Sequence, residues 1–117
     1  MRIGTLTKFN RKKNLWISRK HPLYMENIGF KTLYAASILM HARLNHSVNP
    51  FSNFEFERLI TKGLNLTSKE TISMMNLAKD VQFLIDEIVL ALDTPEKKLY
   101  FLFDLYNVSM NEYHISD

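Results

Sequence analysis

The chain has no cysteine, three glycines, three prolines and one tryptophan in 117 residues. Each scarcity removes a class of answer. Without cysteine there is no disulfide, no thiol nucleophile and no Cys-based zinc site, which fits a reducing compartment. So few glycines and prolines cannot supply the many tight turns of an all-β fold, and they point to helices joined by short connections. The glycines stand at 4, 29 and 63, too far apart for a phosphate-cradling loop, and no Gly-x-Ser-x-Gly nucleophile motif occurs. No apolar run approaches the ~20 residues needed to span a bilayer, and the first residues lack the apolar centre of a secretory signal. These absences predict a cytoplasmic protein.

What is present is apolar and aromatic. Hydrophobic residues make up 46% of the chain, with eight Phe, five Tyr and six Met, enough to close one packed domain of this length. The net charge of +3 hides an asymmetry. Arg2, Lys8, Arg11, Lys12, Lys13, Arg19 and Lys20 give residues 1 to 20 a local +7 with no acid, while the rest of the chain sums to −4. Bases interleaved with Phe9 and Trp16 suit phosphates and stacked bases of nucleic acid, or an anionic membrane surface. A solvated basic terminus that binds nothing is the plain alternative. An acid-free basic start also resembles an organelle transit peptide, although this one is not rich in serine. The candidate contact residues are Lys8, Arg11, Lys12, Lys13, Trp16, Arg19 and Lys20. Before Pro22 the pattern is not helical: Ile3, Thr5, Thr7 and Phe9 alternate, and Leu15-Trp16-Ile17 is β-prone, so either an extended arm or a loose hairpin is expected.

From Phe30 onward the period is helical. A first helix is predicted over about 30–44, with Leu33, Ser37, Met40 and Leu44 on one face and Tyr34, Ile38, Leu39 and Ala42 adding apolar surface. Ser52-Asn53-Phe54-Glu55 has the spacing of a capping box, with Phe51 and Phe56 at the staple positions, and predicts a helix beginning at Asn53. Phe56, Leu59 and Ile60 face its inside, and Gly63 is the expected left-handed closing residue. Thr67-Ser68-Lys69-Glu70 repeats the box and opens a helix carrying Ile72, Met75 and Ala78. Met75 is expected inside and Met74 outside, so the methionines read as core filling in preference to an adaptable groove. The apolar pattern continues through Val81, Leu84, Ile85, Ile88 and Leu92, too long for one ordinary helix, and Asp80 is the expected restart.

Thr94-Pro95-Glu96 starts the last helix, with a capping hydroxyl, a proline at the first helical position and an acid at the positive end of the dipole. Leu99, Leu102, Phe103 and Tyr106 form an apolar stripe, widened by Tyr100, Phe101 and Leu105, which leaves Lys97, Lys98, Asp104 and Asn107 as its polar residues. This helix is expected to be the central one. The chain therefore reads as all-α: a compact bundle of about five helices over 30–117, preceded by a basic arm and connection over 1–29.

That helix order resembles the TerB-like family of tellurite-resistance and co-chaperone domains, in which each of two related halves has an apolar helix, Ala-Asp-Gly, and an acid opening the next helix. Ala42-Arg43-Leu44-Asn45 through Glu55 stands in the first such place, and Ser109-Met110-Asn111-Glu112 through Asp117 in the second. Neither carries Asp-Gly, the first loop is longer, and Asn45 or Asn49 and Asn111 replace the acids associated with metal binding. The resemblance covers about residues 30 to 117. It implies a helical interaction module in stress or membrane-linked assemblies, without established catalysis.

Nothing in the side-chain spacing argues for an enzyme. His41 and His46 are five apart, whereas two ligands on one helical face need three or four, so ordinary surface or loop histidines are expected and no metal or cofactor. Glu55 with Glu57, and Asp86 with Glu87, are too close in sequence to face each other on a helix. The expected function is that of a non-enzymatic adaptor or regulator acting through a protein partner, with self-association open. The alternative is a nucleic-acid-binding regulator working through the arm.

Overall fold

A computed structural model describes residues 21–46 and 53–116, and the side chains within 21–45 and 53–110. Among the described residues there are five helices and no strand: α1 Ile28–His46, α2 Phe54–Arg58 continued by a π-helical turn Leu59–Gly63, α3 Ser68–Leu77, α4 Val81–Ala91 and α5 Pro95–Ser116. The all-α bundle expected from the sequence is the fold.

The central helix is α1, not α5. Every residue from Tyr34 to Met40 is buried, and α1 packs against α3, α4 and α5, while α2 packs on α5. A helix buried on all sides needs small residues where neighbours approach, and Ala35, Ala36, Ser37 and Ala42 supply them. Leu44, expected on its inner face, is exposed.

Helix starts follow local chemistry closely. Thr67 forms the full capping box, its hydroxyl accepting from the Glu70 amide at 3.1 Å while the Glu70 carboxylate accepts from the Thr67 amide at 2.9 Å. Asp80 interrupts the long apolar pattern as foreseen, accepting from the Phe83 amide at 3.4 Å. Thr94 accepts from the Lys97 amide at 3.2 Å. At α2 the cap is Asn53, whose Oδ1 accepts from the Phe56 amide at 2.8 Å, so α2 begins at Phe54; Ser52 and Phe51 lie outside the described residues.

The end of α2 corrects another expectation. Gly63 is not left-handed; Asn65 is, at φ 58°. The Leu64 amide returns to the Leu59 carbonyl at 2.7 Å and the Leu66 amide to Ile60 at 2.8 Å, a widened form of the left-handed helix closure. Gly63 instead permits a close approach. Its carbonyl accepts from the His21 amide at 3.0 Å, and a Cβ there would lie 3.3 Å from the His21 Cβ. The methionines are also reversed, since Met74 is wholly buried and Met75 only partly. Ile72, on the same expected inner face as Met75, is exposed.

The core does not begin at Phe30. Leu23 joins it, and the connection over 21–27 is tied down by Lys31, whose ammonium donates to the carbonyls of Tyr24 at 3.2 Å and Leu64 at 2.9 Å.

Candidate functional site: a buried polar cluster beneath an exposed apolar stripe

Helix α5 has two apolar sides, and its inner side carries a carboxylate. Asp104 is 8% exposed, between Phe101 and Val108 on the face that meets α1. Its Oδ2 accepts from the Tyr34 hydroxyl at 2.5 Å and from His21 Nε2 at 2.6 Å. His21 can donate from Nε2 because its Nδ1 is an acceptor for the Leu23 amide at 3.0 Å, which fixes the tautomer. The His21 ring meets Tyr34 and Tyr100 edge-on at 5.9 and 6.0 Å. Burial above all, and then the adjacent Asp104 charge and its hydrogen bond, hold the Tyr34 hydroxyl well above the usual tyrosine range.

The cluster joins three places in sequence, the connection at 21, α1 and α5, through a single carboxylate oxygen. Its chemistry is that of a fastener: the Nδ1 lone pair that a general base would use is held by the Leu23 amide. A second buried polar link lies beside it. Asn53, besides capping α2, donates from Nδ2 to the Val108 carbonyl at 2.8 Å and so ties α2 to α5.

The opposite side of α5 faces solvent. Leu99, Leu102, Tyr106 and Met110 are 54%, 63%, 62% and 39% exposed, and their spacing of three and four puts them in one line along the helix. Three of these four are residues that the periodicity assigned to the core. The correction has a physical reason: α5 carries a second helical set, Phe101, Leu105 and Val108, and the polar partners His21 and Tyr34 draw the Asp104 side inward with it.

The sequence-predicted contact residues Lys8, Arg11, Lys12, Lys13, Trp16, Arg19 and Lys20 all lie outside the described residues. His21 and Asp104 were the residues missed. His21 belongs to no motif in the sequence, and Asp104 read as part of a polar edge. The available signal was the interval of three and four that sets Asp104 between Phe101 and Val108. His41 is an ordinary helical histidine in contact, its Nδ1 donating to the Ser37 carbonyl at 2.8 Å and its ring meeting Phe101 at 5.7 Å. Among the described residues no three of His, Cys, Asp and Glu gather as a metal site, and no helix is long and apolar enough to cross a membrane. A shallow recess of about 120 Å³ lies between Phe54, Glu57, Arg58, Thr61 and Lys62, with the Arg58 guanidinium 4.6 Å above the Phe54 ring.

Comparison with known proteins gives no match to a protein family, a curated protein or a solved structure.

Proposed function

We propose that this protein is a non-enzymatic helical adaptor or regulator that engages a protein partner through the outer side of α5. The observation that supports it is the line of Leu99, Leu102, Tyr106 and Met110, an apolar stripe held in water by a helix whose other side is fastened into the core. Water contact with such a stripe is unfavourable, and a partner helix laying its own apolar side along it removes that contact. Spaced apolar anchors of this kind are how amphipathic helices are read. The likeness of helix order to TerB-like domains adds stress-linked assemblies as the setting.

The charge of residues 1 to 20 favours a second reading, nucleic-acid binding through Lys8, Arg11, Lys12, Lys13, Trp16, Arg19 and Lys20. Affinity capture from native lysate, with and without nuclease and at rising salt, separates the two. The adaptor reading expects capture that resists nuclease and salt and is lost in Leu102→Asp while kept in Leu102→Met. Capture that disappears with nuclease or falls steeply with salt supports the nucleic-acid reading instead.

A further inference from the structure

Helix α4 is rich in apolar residues, yet it buries only two of them, Leu84 and Ile88, one turn apart. Its main packing partner is α1, so both of its flanks are exposed. Val81, Ile85 and Val89 line one flank at intervals of four, and Phe83 and Leu90 the other at an interval of seven, with Val89 69% and Leu90 73% exposed. Together these five side chains present on the order of 500 Å², near the largest apolar patch of an ordinary monomer. The same stretch is acidic. Between Lys79 and Lys97 stand Asp80, Asp86, Glu87, Asp93 and Glu96, and no base. Asp80 caps the helix and Asp93 pairs with Lys97 at 3.0 Å, which leaves Asp86 and Glu87 as the charges of the apolar face. At about 3.6 residues per turn these two fall on either side of the line from Phe83 to Leu90, half-way along it. Gln82 Nε2 donates to Asp86 Oδ1 at 3.1 Å and holds that carboxylate on the exposed side.

We infer that α4 is a second docking face, and that its occupant is a basic amphipathic helix of another protein. Charge selects that occupant. A second copy docked on this face by two-fold symmetry would bring Asp86 and Glu87 of both copies into one interface, where like charges oppose each other. An anionic membrane or a nucleic acid meets the same objection. A globular partner contributes about 800 Å² to each side of an ordinary interface, more than α4 offers, whereas a single helix needs only a line of anchors. Such a helix lays two apolar side chains over Phe83 and Leu90, about 10.5 Å apart along α4. An arginine or lysine between them then reaches Asp86 and Glu87.

The outer stripe of α5 is a separate surface and serves as the control. The probe is a short synthetic amphipathic helix, leucine on one side and lysine on the other, titrated into the nitrogen-15-labelled full-length protein; a counterpart carries glutamate in place of lysine. The lysine peptide should shift backbone amides within 80–93. Its affinity should fall about tenfold in Leu90→Ser and in Asp86→Lys/Glu87→Lys, at unchanged helical circular dichroism, while Leu102→Ser leaves it unchanged. The glutamate peptide should not bind. Equal binding of the two peptides, or no binding of either, overturns the inference. So do shifts centred on 99–110, which would support the α5 reading alone. Amides of α4 that move when the peptide-free protein is diluted overturn it by giving the face to a second copy, and amides that move in Arg11→Gln/Lys12→Gln/Lys13→Gln by giving it to the chain's own basic residues. If the charge reversal does not fold, the isosteric Asp86→Asn/Glu87→Gln takes its place: affinity for the lysine peptide should fall several-fold, and unchanged affinity overturns the inference.

Discussion

Phe101 and Leu102 are neighbours in sequence and opposites in structure. Phe101 is buried against Tyr34 and His41, with ring centroids 5.6 and 5.7 Å away, whereas Leu102 is 63% exposed. Hydrophobicity does not separate them. The inner side of α5 differs from the outer in owning one acid with two donors waiting for it, and a buried carboxylate without those partners would be costly. The lesson is that among equally apolar sides of a helix, a specific polar contact can select which one is buried. Burial then follows from the fastening as much as the fastening from burial.

Substitution at the two neighbours tests this contrast most severely. Phe101→Ala should cost about 3–5 kcal/mol in urea unfolding, and Leu102→Ala no more than about 0.5 kcal/mol. Equal costs would mean that the outer side is also packed. Asp104→Ala should cost about 3–5 kcal/mol, since it removes from the core the carboxylate that accepts from both the Tyr34 hydroxyl and His21 Nε2. Adding Tyr34→Phe to Asp104→Ala should cost less than the sum of the single changes, because the two side chains share one bond. Strict additivity would show that the cluster does not form.

Two smaller effects sharpen the comparison. Asn53→Ala should cost about 1–2 kcal/mol by removing the α2 cap, and the broken tie to the Val108 carbonyl acts in the same direction. A midpoint unchanged at unchanged slope would count against that link. Alkaline unfolding reports on Tyr34. An unfolded tyrosine gives up its proton near its ordinary value of 10.0, whereas folded Tyr34 keeps it to higher pH. The stability from this group is whole below pH 10.0 and is lost as pH climbs from there through the raised folded value, so Tyr34→Phe should flatten the alkaline fall. An identical alkaline profile in wild type and variant would sink this. The smallest change is expected at Ser37, whose buried Oγ has no partner among the described residues. Ser37→Ala should be neutral or slightly stabilising by thermal melting, because it removes a polar atom that lacks a hydrogen bond.

Helix starts were the most legible feature of the chain because capping is local. Thr67 with Glu70, Asp80 and Thr94 each satisfy the amide three residues on, and such chemistry needs no knowledge of the rest of the fold. Even at α2, where Asn53 is the cap, the estimate was one residue away. The closing residue was harder. Gly63 and Asn65 can both take special backbone roles, and only the approach of His21 assigns Gly63 to close contact and leaves the left-handed position to Asn65. The choice between Met74 and Met75 was likewise open to the period, because adjacent residues on a short helix differ only in which neighbour is there to meet them.

The amino-acid sequence by itself determined that this protein is helical, where most of its helices begin, that Asp80 divides the long apolar run, and that basic charge is gathered in the first twenty residues. Those properties rest on contacts within one turn of chain, or on composition. The tertiary structure alone decided that α1 is the centre, that Asp104 is inside, and that Leu99, Leu102 and Tyr106 are outside. Each of these depends on groups 70 or 83 residues apart, Tyr34 and His21 meeting Asp104, and a helical period carries no information about which distant donor will arrive.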